Sequence, residues 1–277
     1  EIENNIFNSI DELLQSIPSI ELQSRGGFGN QSDLVLRGTT FNQTLVLLDG
    51  MRVNDPLTGH FSMYIPITIY DIKQIEIIRG GSSSIYGPDA VGGIINIVTK
   101  SFVDSNKKDN ILYSGKLGTN NLISGQLFLS GVTKNKNIYS TISANLIKSD
   151  GEAIGDNDYS FFDNKNLSVS INYPITQNLK LYLRGSFDKR FFDSKYYYTR
   201  STFDKSNELI KKQWYQAKAK HAIGNGNLLF NYTYQIVEDK YVFNPLFPSY
   251  ENKTKLNNGR LNYIFNNINL TFGFDFQ

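Results

Sequence analysis

The chain has 277 residues with 28 basic and 26 acidic side chains, a formal net charge of +2, so no global field draws it to nucleic acid. It contains no cysteine, which excludes disulfides and thiolate metal sites. Aromatic residues make up 13%, with 17 Tyr and 19 Phe, yet mean hydropathy is only −0.34, as in chains that interleave apolar and polar side chains.

Residues 1–103 read as a compact mixed α/β domain. Ser9-Ile10-Asp11-Glu12 has the form of a capping box and opens a short helix through Leu13 and Leu14 that stops near Pro18. Strands are predicted at 33–37, 45–48, 75–78 and 94–99. Asp49-Gly50 suits a tight turn into Met51-Arg52-Val53. Glycines at 80, 81, 87, 92 and 93 permit tight turns and close backbone packing. Arg37, Glu76 and Arg79 are expected in a polar interior, paired either with an enclosing wall or with each other.

From residue 111 the pattern changes to long segments of period two. In 179–187 the apolar side chains Leu179, Leu181, Leu183 and Phe187 alternate with Lys180, Arg184 and Ser186. Similar alternation marks 111–118, 123–131, 138–147, 167–173, 213–221, 228–236, 256–265 and 268–276, giving nine strands in residues 104–277. Asn120-Asn121 joins the first two strands; after that, short links at 133–137, 174–178, 223–226 and 266–267 alternate with long ones at 148–164, 193–209 and 241–253. Short turns at one end and long loops at the other are the asymmetry of an antiparallel membrane β-barrel, whereas a soluble all-β sandwich has no reason to segregate them. A barrel wide enough to hold a domain of ~100 residues needs about 22 strands. Nine strands do not close, and the remaining wall is expected beyond Gln277.

The first domain resembles the plug of TonB-dependent outer-membrane receptors. The matching stretches are Glu12-Leu13-Leu14 with Ile17-Pro18-Ser19-Ile20, Leu36-Arg37-Gly38, Val46-Leu47-Leu48-Asp49-Gly50, Ile75-Glu76-Ile77-Ile78-Arg79-Gly80, Ser84-Ile85-Tyr86-Gly87, and the run from Ala90 through Gly92-Gly93 to Thr99-Lys100. Within that superfamily the chain is most similar to the vitamin B12 (cobalamin) receptors. Gly155-Asp156-Asn157-Asp158 resembles their acidic calcium loop, and Asp193-Ser194-Lys195-Tyr196-Tyr197-Tyr198 their tyrosine-rich loop. Asp55-Pro56-Leu57-Thr58-Gly59-His60 departs from the enterobacterial form of the plug loop.

The resemblance implies a receptor in the outer membrane of a Gram-negative bacterium. It would bind cobalamin or a similar large metal chelate outside, the alternative being an iron–siderophore, and import it using energy from the TonB protein. A surface lipoprotein is a further expected partner. A structural or adhesive barrel is a second alternative. The ligand is expected at the outward apex of the plug. The candidates are Arg25, Phe28 and Asn30 in one loop, Asn54, His60, Phe61, Met63 and Tyr64 in another, and Tyr196, Tyr197 and Tyr198 from the wall. The tyrosines have a second reading, as an aromatic girdle at the lipid interface. No cofactor is required, but Asp150, Asp156, Asp158 and Asp204 are candidate ligands for a structural Ca2+ in the external loops. The two histidines, His60 and His221, lack a serine–acid partner, and neither Gly26-Gly27-Phe28-Gly29 nor Gly80-Gly81-Ser82 completes a nucleotide motif. No enzyme is indicated. The segment gripped by TonB is expected before Glu1 or near residues 2–6.

Overall fold

The computed structural model describes residues 7, 9–26, 29–55, 58–60, 63–80, 88–103, 107–134, 137–154, 158–266 and 270–277. Ser9 caps α1 (Ile10–Gln15): its hydroxyl accepts from the Glu12 N–H at 3.2 Å, satisfying one of the unpaired donors of the first turn. The helix buries Ile10, Leu13 and Leu14. β1 (Ile20–Ser24) and β2 (Ser32–Leu36) pair as an antiparallel ribbon. A four-stranded sheet follows, from β3 (Thr44–Leu48), β4 (Met51–Arg52), β5 (Ile72–Arg79) and β6 (Gly93–Thr99), in the order β4-β3-β6-β5. β3 and β6 are parallel, and the other pairs are antiparallel. Gly93 adopts φ 143, and a Cβ there would sit 2.5 Å from both the Ile78 carbonyl oxygen and a Leu36 methyl, so only glycine lets β5 and β2 approach β6 at this point. Leu14, Leu36, Val46, Leu48, Ile95 and Ile97 form an ordinary apolar core among these elements.

The second sheet is an antiparallel meander of nine strands in chain order: β7 (Asn110–Leu117), β8 (Ile123–Val132), β9 (Tyr139–Ser149), β10 (Phe162–Pro174), β11 (Leu179–Asp193), β12 (Asn207–Ile223), β13 (Gly226–Val242), β14 (Tyr250–Phe265) and β15 (Thr271–Phe276). All nine strands read from the alternation are present. Its burial pattern is inverted relative to a water-soluble sheet. In β10 the inward Ser168, Ser170 and Asn172 are at most 1% exposed, while the outward Leu167, Val169 and Ile171 are 39–48% exposed. In β11, Arg184, Ser186 and Asp188 point inward, while Leu183 and Phe187 point out. The outward belt suits lipid, and the inward polar side faces the first domain, which acts as its plug. No helix among the described residues is long and apolar enough to cross a membrane; the crossing elements are strands.

The connections 150–161, 194–206 and 243–249 lie at one end of the sheet, and 133–138, 175–178 and 224–225 at the other. Strands β11 to β14 run 15–17 residues, longer than the 9–11 that cross a bilayer, so they project past it. The projecting parts carry outward charges in cross-strand pairs, with Lys253 at 2.6 Å from Glu238 and Lys240 at 2.6 Å from Glu251. One wall residue belongs to the plug's core: Trp214 of β12, the only tryptophan, is fully buried against it.

Candidate functional site

The inner face of the wall meets the plug through side-chain donors aimed at plug backbone and hydroxyl groups. Asn164 donates to the Gly29 carbonyl at 2.8 Å, Asn172 to the Ser101 carbonyl at 3.0 Å, and Lys212 to the Val53 carbonyl at 2.7 Å. Ser143 contacts the Asp71 carboxylate. Such a seam satisfies the backbone groups that plug loops would otherwise bury unpaired.

At the long-loop end the seam gathers the candidate ligand residues. Arg25, at the end of the β1–β2 ribbon, places Nε 3.5 Å from Asp33, donates from Nη1 to the Tyr197 carbonyl at 3.4 Å, and lies 5.7 Å over the Tyr198 ring. Asp33 also accepts His60 Nδ1 at 3.0 Å, and the His60 ring packs 4.3 Å from that of Phe41. One buried carboxylate therefore ties both plug loops to each other and, through Arg25, to loop 194–206. The Asn30 amide meets the Ser160 hydroxyl of the neighbouring loop. Tyr197 packs on Phe192 at 6.5 Å with its hydroxyl facing Asn30 and Ser160; burial pushes its ionisation up to about 12. The Tyr198 hydroxyl lies 3.1 Å from Gln31 Oε1 and 3.3 Å from Glu208 Oε2. Tyr196 and Tyr198 are nearly half exposed. Tyr196 takes a left-handed φ of 66, held by its N–H donating to Asp204 at 2.9 Å, and Lys195 sits 4.9 Å over its ring. Aromatic tips and a guanidinium at a polar seam can grip a large amphipathic ligand.

Three of the candidate residues do something else. Asn54 is spent on β3, accepting from the Val46 N–H at 2.7 Å and donating to the Thr44 carbonyl at 3.0 Å. Met63 is fully buried in the plug core. Tyr64 is fully buried beneath the Arg190 guanidinium at 4.1 Å and beside Phe192, and burial raises its ionisation well above that of a free phenol. Asn54 and Met63 are turned into the plug, and Tyr64 packs against Phe192 and Ile210 of the wall. Phe28, Phe61 and Asp156 lie outside the described residues, as does the segment 2–6.

The acidic candidates are separated. Asp150 accepts from Asn121 at 2.6 Å, Asp158 pairs with Lys195, and Asp204 accepts the N–H groups of Tyr196 and Ser206. Among the described residues no three acidic or imidazole side chains gather as metal ligands. Of the plug charges expected in a polar interior, Glu76 pairs with Asn96 at 2.8 Å on an exposed sheet face, and Arg37 and Arg79 are exposed. Besides Arg25, charged plug groups that meet the wall include Asp49 and Asp71, with Arg184 and Lys212 on the wall side. Arg184 and Lys212 sit at inward positions of the alternation, between Tyr182 and Ser186 and between Ile210 and Trp214, which is the signal that marks them as seam residues.

Comparison with known proteins supports this architecture. Residues 1–94 match the family model of the TonB-dependent Receptor Plug Domain. Over 95 residues the chain is 42% identical to the vitamin B12 transporter BtuB of Vibrio vulnificus strain YJ016, covering 34% of this chain and 15% of that protein. Over 102 residues it is 38% identical to BtuB of Vibrio cholerae serotype O1 strain M66-2, covering 36% and 16%. Among solved structures, the ferric enterobactin receptor PfeA of Pseudomonas aeruginosa superposes with a TM-score of 0.72 at 15% identity, over 95% of this chain and 45% of that one. The ferric yersiniabactin uptake receptor FyuA of Yersinia pestis superposes at 0.71 and 17% identity, over 95% and 44%. The chain thus spans less than half of the solved receptors, and the stretch it shares with the curated transporters is a small part of their length. Residues 1–94 thus match the plug domain of TonB-dependent receptors in sequence, and the plug seated against a nine-stranded inside-out wall is similar in fold to part of solved receptors of that kind.

Proposed function

We propose that this chain belongs to an outer-membrane receptor of a Gram-negative bacterium that binds cobalamin at its outer face and imports it into the periplasm with energy delivered by TonB. Residues 1–103 serve as the plug and 104–277 as wall. The observation that carries the ligand is the 38–42% identity of the plug to vitamin B12 transporters, set beside an outer seam where Arg25, His60 and Tyr196 to Tyr198 converge. The ligand would rest on Tyr196 and Tyr198 and loosen the Arg25–Asp33 tie. TonB would then pull on the N-terminal segment and remodel the plug. No catalytic role is proposed, and a surface lipoprotein is a proposed partner at the long-loop end.

Calorimetric titration of the membrane-embedded receptor with cyanocobalamin and with ferric siderophores tests the reading. Binding of cobalamin alone supports it; binding of a siderophore alone moves the same mechanism to iron uptake. The fold likeness to siderophore receptors lies at 14–18% identity and carries no ligand. Unchanged growth of a deletion strain on limiting cobalamin would favour a structural or adhesive barrel. Calcium in the outer loops is a proposal that requires rearrangement, with Asp158 leaving Lys195; a calcium titration that releases no heat removes it.

A further inference from the structure

The Asp49-Gly50 turn between β3 and β4 is held from two sides. Within the plug, the Asp49 N–H donates to the Ile97 carbonyl at 2.9 Å, and the Gly50 N–H to Asn96 Oδ1 at 3.0 Å. The Asp49 carboxylate accepts the Thr99 N–H at 2.7 Å and the Thr99 hydroxyl at 2.9 Å. From the wall, four consecutive strands reach the same turn. Arg184 of β11 lies 3.8 Å from the Asp49 carboxylate, and Lys212 of β12 donates to the Val53 carbonyl just after it. Asn231 of β13 donates to the Asp49 carbonyl at 3.3 Å, and Arg260 of β14 to the Gly50 carbonyl at 3.0 Å. Each of these wall groups is a donor or a cation, and each plug group opposite is an acceptor. Asp49 and Gly50 both take left-handed backbone, φ 52 and 85, which projects their carbonyls and the Asp49 side chain toward the wall.

Arg184 is aimed before it meets Asp49. Its Nη2 donates to the hydroxyls of Thr99 at 2.6 Å and Ser101 at 3.0 Å, and its guanidinium lies 5.3 Å over the Phe102 ring. The side chains of Arg184 and Asp49 are 0% and 1% exposed.

We infer that the Asp49-Gly50 turn is the docking point of the plug in the wall, and that Arg184 is the positioning residue that sets its depth and rotation there. An apolar seam tolerates sliding. A buried charge pair does not, because either partner displaced alone is a buried, uncompensated charge. The inference rests on the receptor reading only in that the wall encloses a plug, and it is independent of which ligand is carried.

The test uses cells whose outer membrane carries the intact receptor as parent, Asp49→Asn, Arg184→Gln or the double variant. The readouts are the inhibitory concentration of a large glycopeptide antibiotic, excluded while the plug is seated, and the heat-shifted gel band of the folded barrel. Each single variant is expected to keep the folded band and lower the inhibitory concentration several-fold, with the double no leakier than the worse single. Singles as resistant as the parent overturn the inference, and so does a double whose leak exceeds both singles. Should a single variant lose the folded band, Asn231→Ala and Arg260→Ala carry the test: leak in both supports the docking point, and parental resistance in either overturns it. A failed ligand titration leaves these outcomes standing, so the two readings fail separately.

Discussion

The plug and the wall are built from similar residues under opposite solvent rules. The plug hides Leu48, Val46, Ile95 and Ile97 and turns charges such as Arg37 and Glu76 outward. The wall hides Ser168, Ser170, Asn172 and Arg184 and turns Leu167, Val169 and Leu183 outward. Composition alone does not distinguish the two regions. The side of each strand that meets water does. In the wall, inward polar groups hold a second protein surface in register; in the plug, outward groups such as Asp49 and Asp71 are the acceptors they meet.

Truncations separate the two rules most strongly. Leu48→Ala leaves a cavity in a packed core and is expected to cost about 2–5 kcal/mol in urea unfolding of the bilayer-embedded receptor. Leu183→Ala, on the lipid side, is expected to cost far less, because acyl chains refill the space. Equal costs would mean that Leu183 packs against protein and would break the comparison. Next in size, Leu183→Arg should destabilise by about 2–4 kcal/mol, as a charge near mid-bilayer does. A neutral result there would place that side in water. Smaller again, Ser9→Ala should cost about 1 kcal/mol through lost capping of α1, seen as faster hydrogen exchange in that helix while wall amides stay unchanged.

The smallest effect concerns pH at the seam. The Tyr197 phenol is raised by burial from an ordinary 10 to about 12. Its folded value lies above its unfolded one, so its contribution is complete below pH 10 and disappears as pH rises through about 12. Ultraviolet titration of Tyr197→Phe should lack one phenolic step near pH 12 relative to the parent. A missing step near pH 10 instead would place Tyr197 in water, away from the plug.

The strands of the wall were legible wherever one side meets lipid and the other water, because only there do apolar and polar residues alternate. Their outer ends were not. Residues 207–209, 241–242 and 250–253 read as loop, yet β12, β13 and β14 continue through them. Past the bilayer both sides of a strand are wet, and cross-strand pairs such as Lys253–Glu238 replace the apolar belt. In the plug, β1 went unread because Ile20-Glu21-Leu22-Gln23-Ser24 offers only two apolar residues after a proline, and its pairing with β2 supplies the order. At the site, the convergence of Arg25 and His60 on Asp33 had no local signal, since 27 residues separate the histidine from its acceptor. Asn54, Met63 and Tyr64 looked available because they lie in a loop; that Asn54 and Met63 face the plug and Tyr64 the wall is a tertiary fact.

Trp214 has a practical consequence. It is the sole indole of these 277 residues, and it sits where wall and plug core touch, so their tryptophan emission comes from one place. A blue-shifted spectrum corresponds to a seated plug. A shift to the red, followed in time after adding ligand or coupling protein, would record the plug's departure without any attached dye.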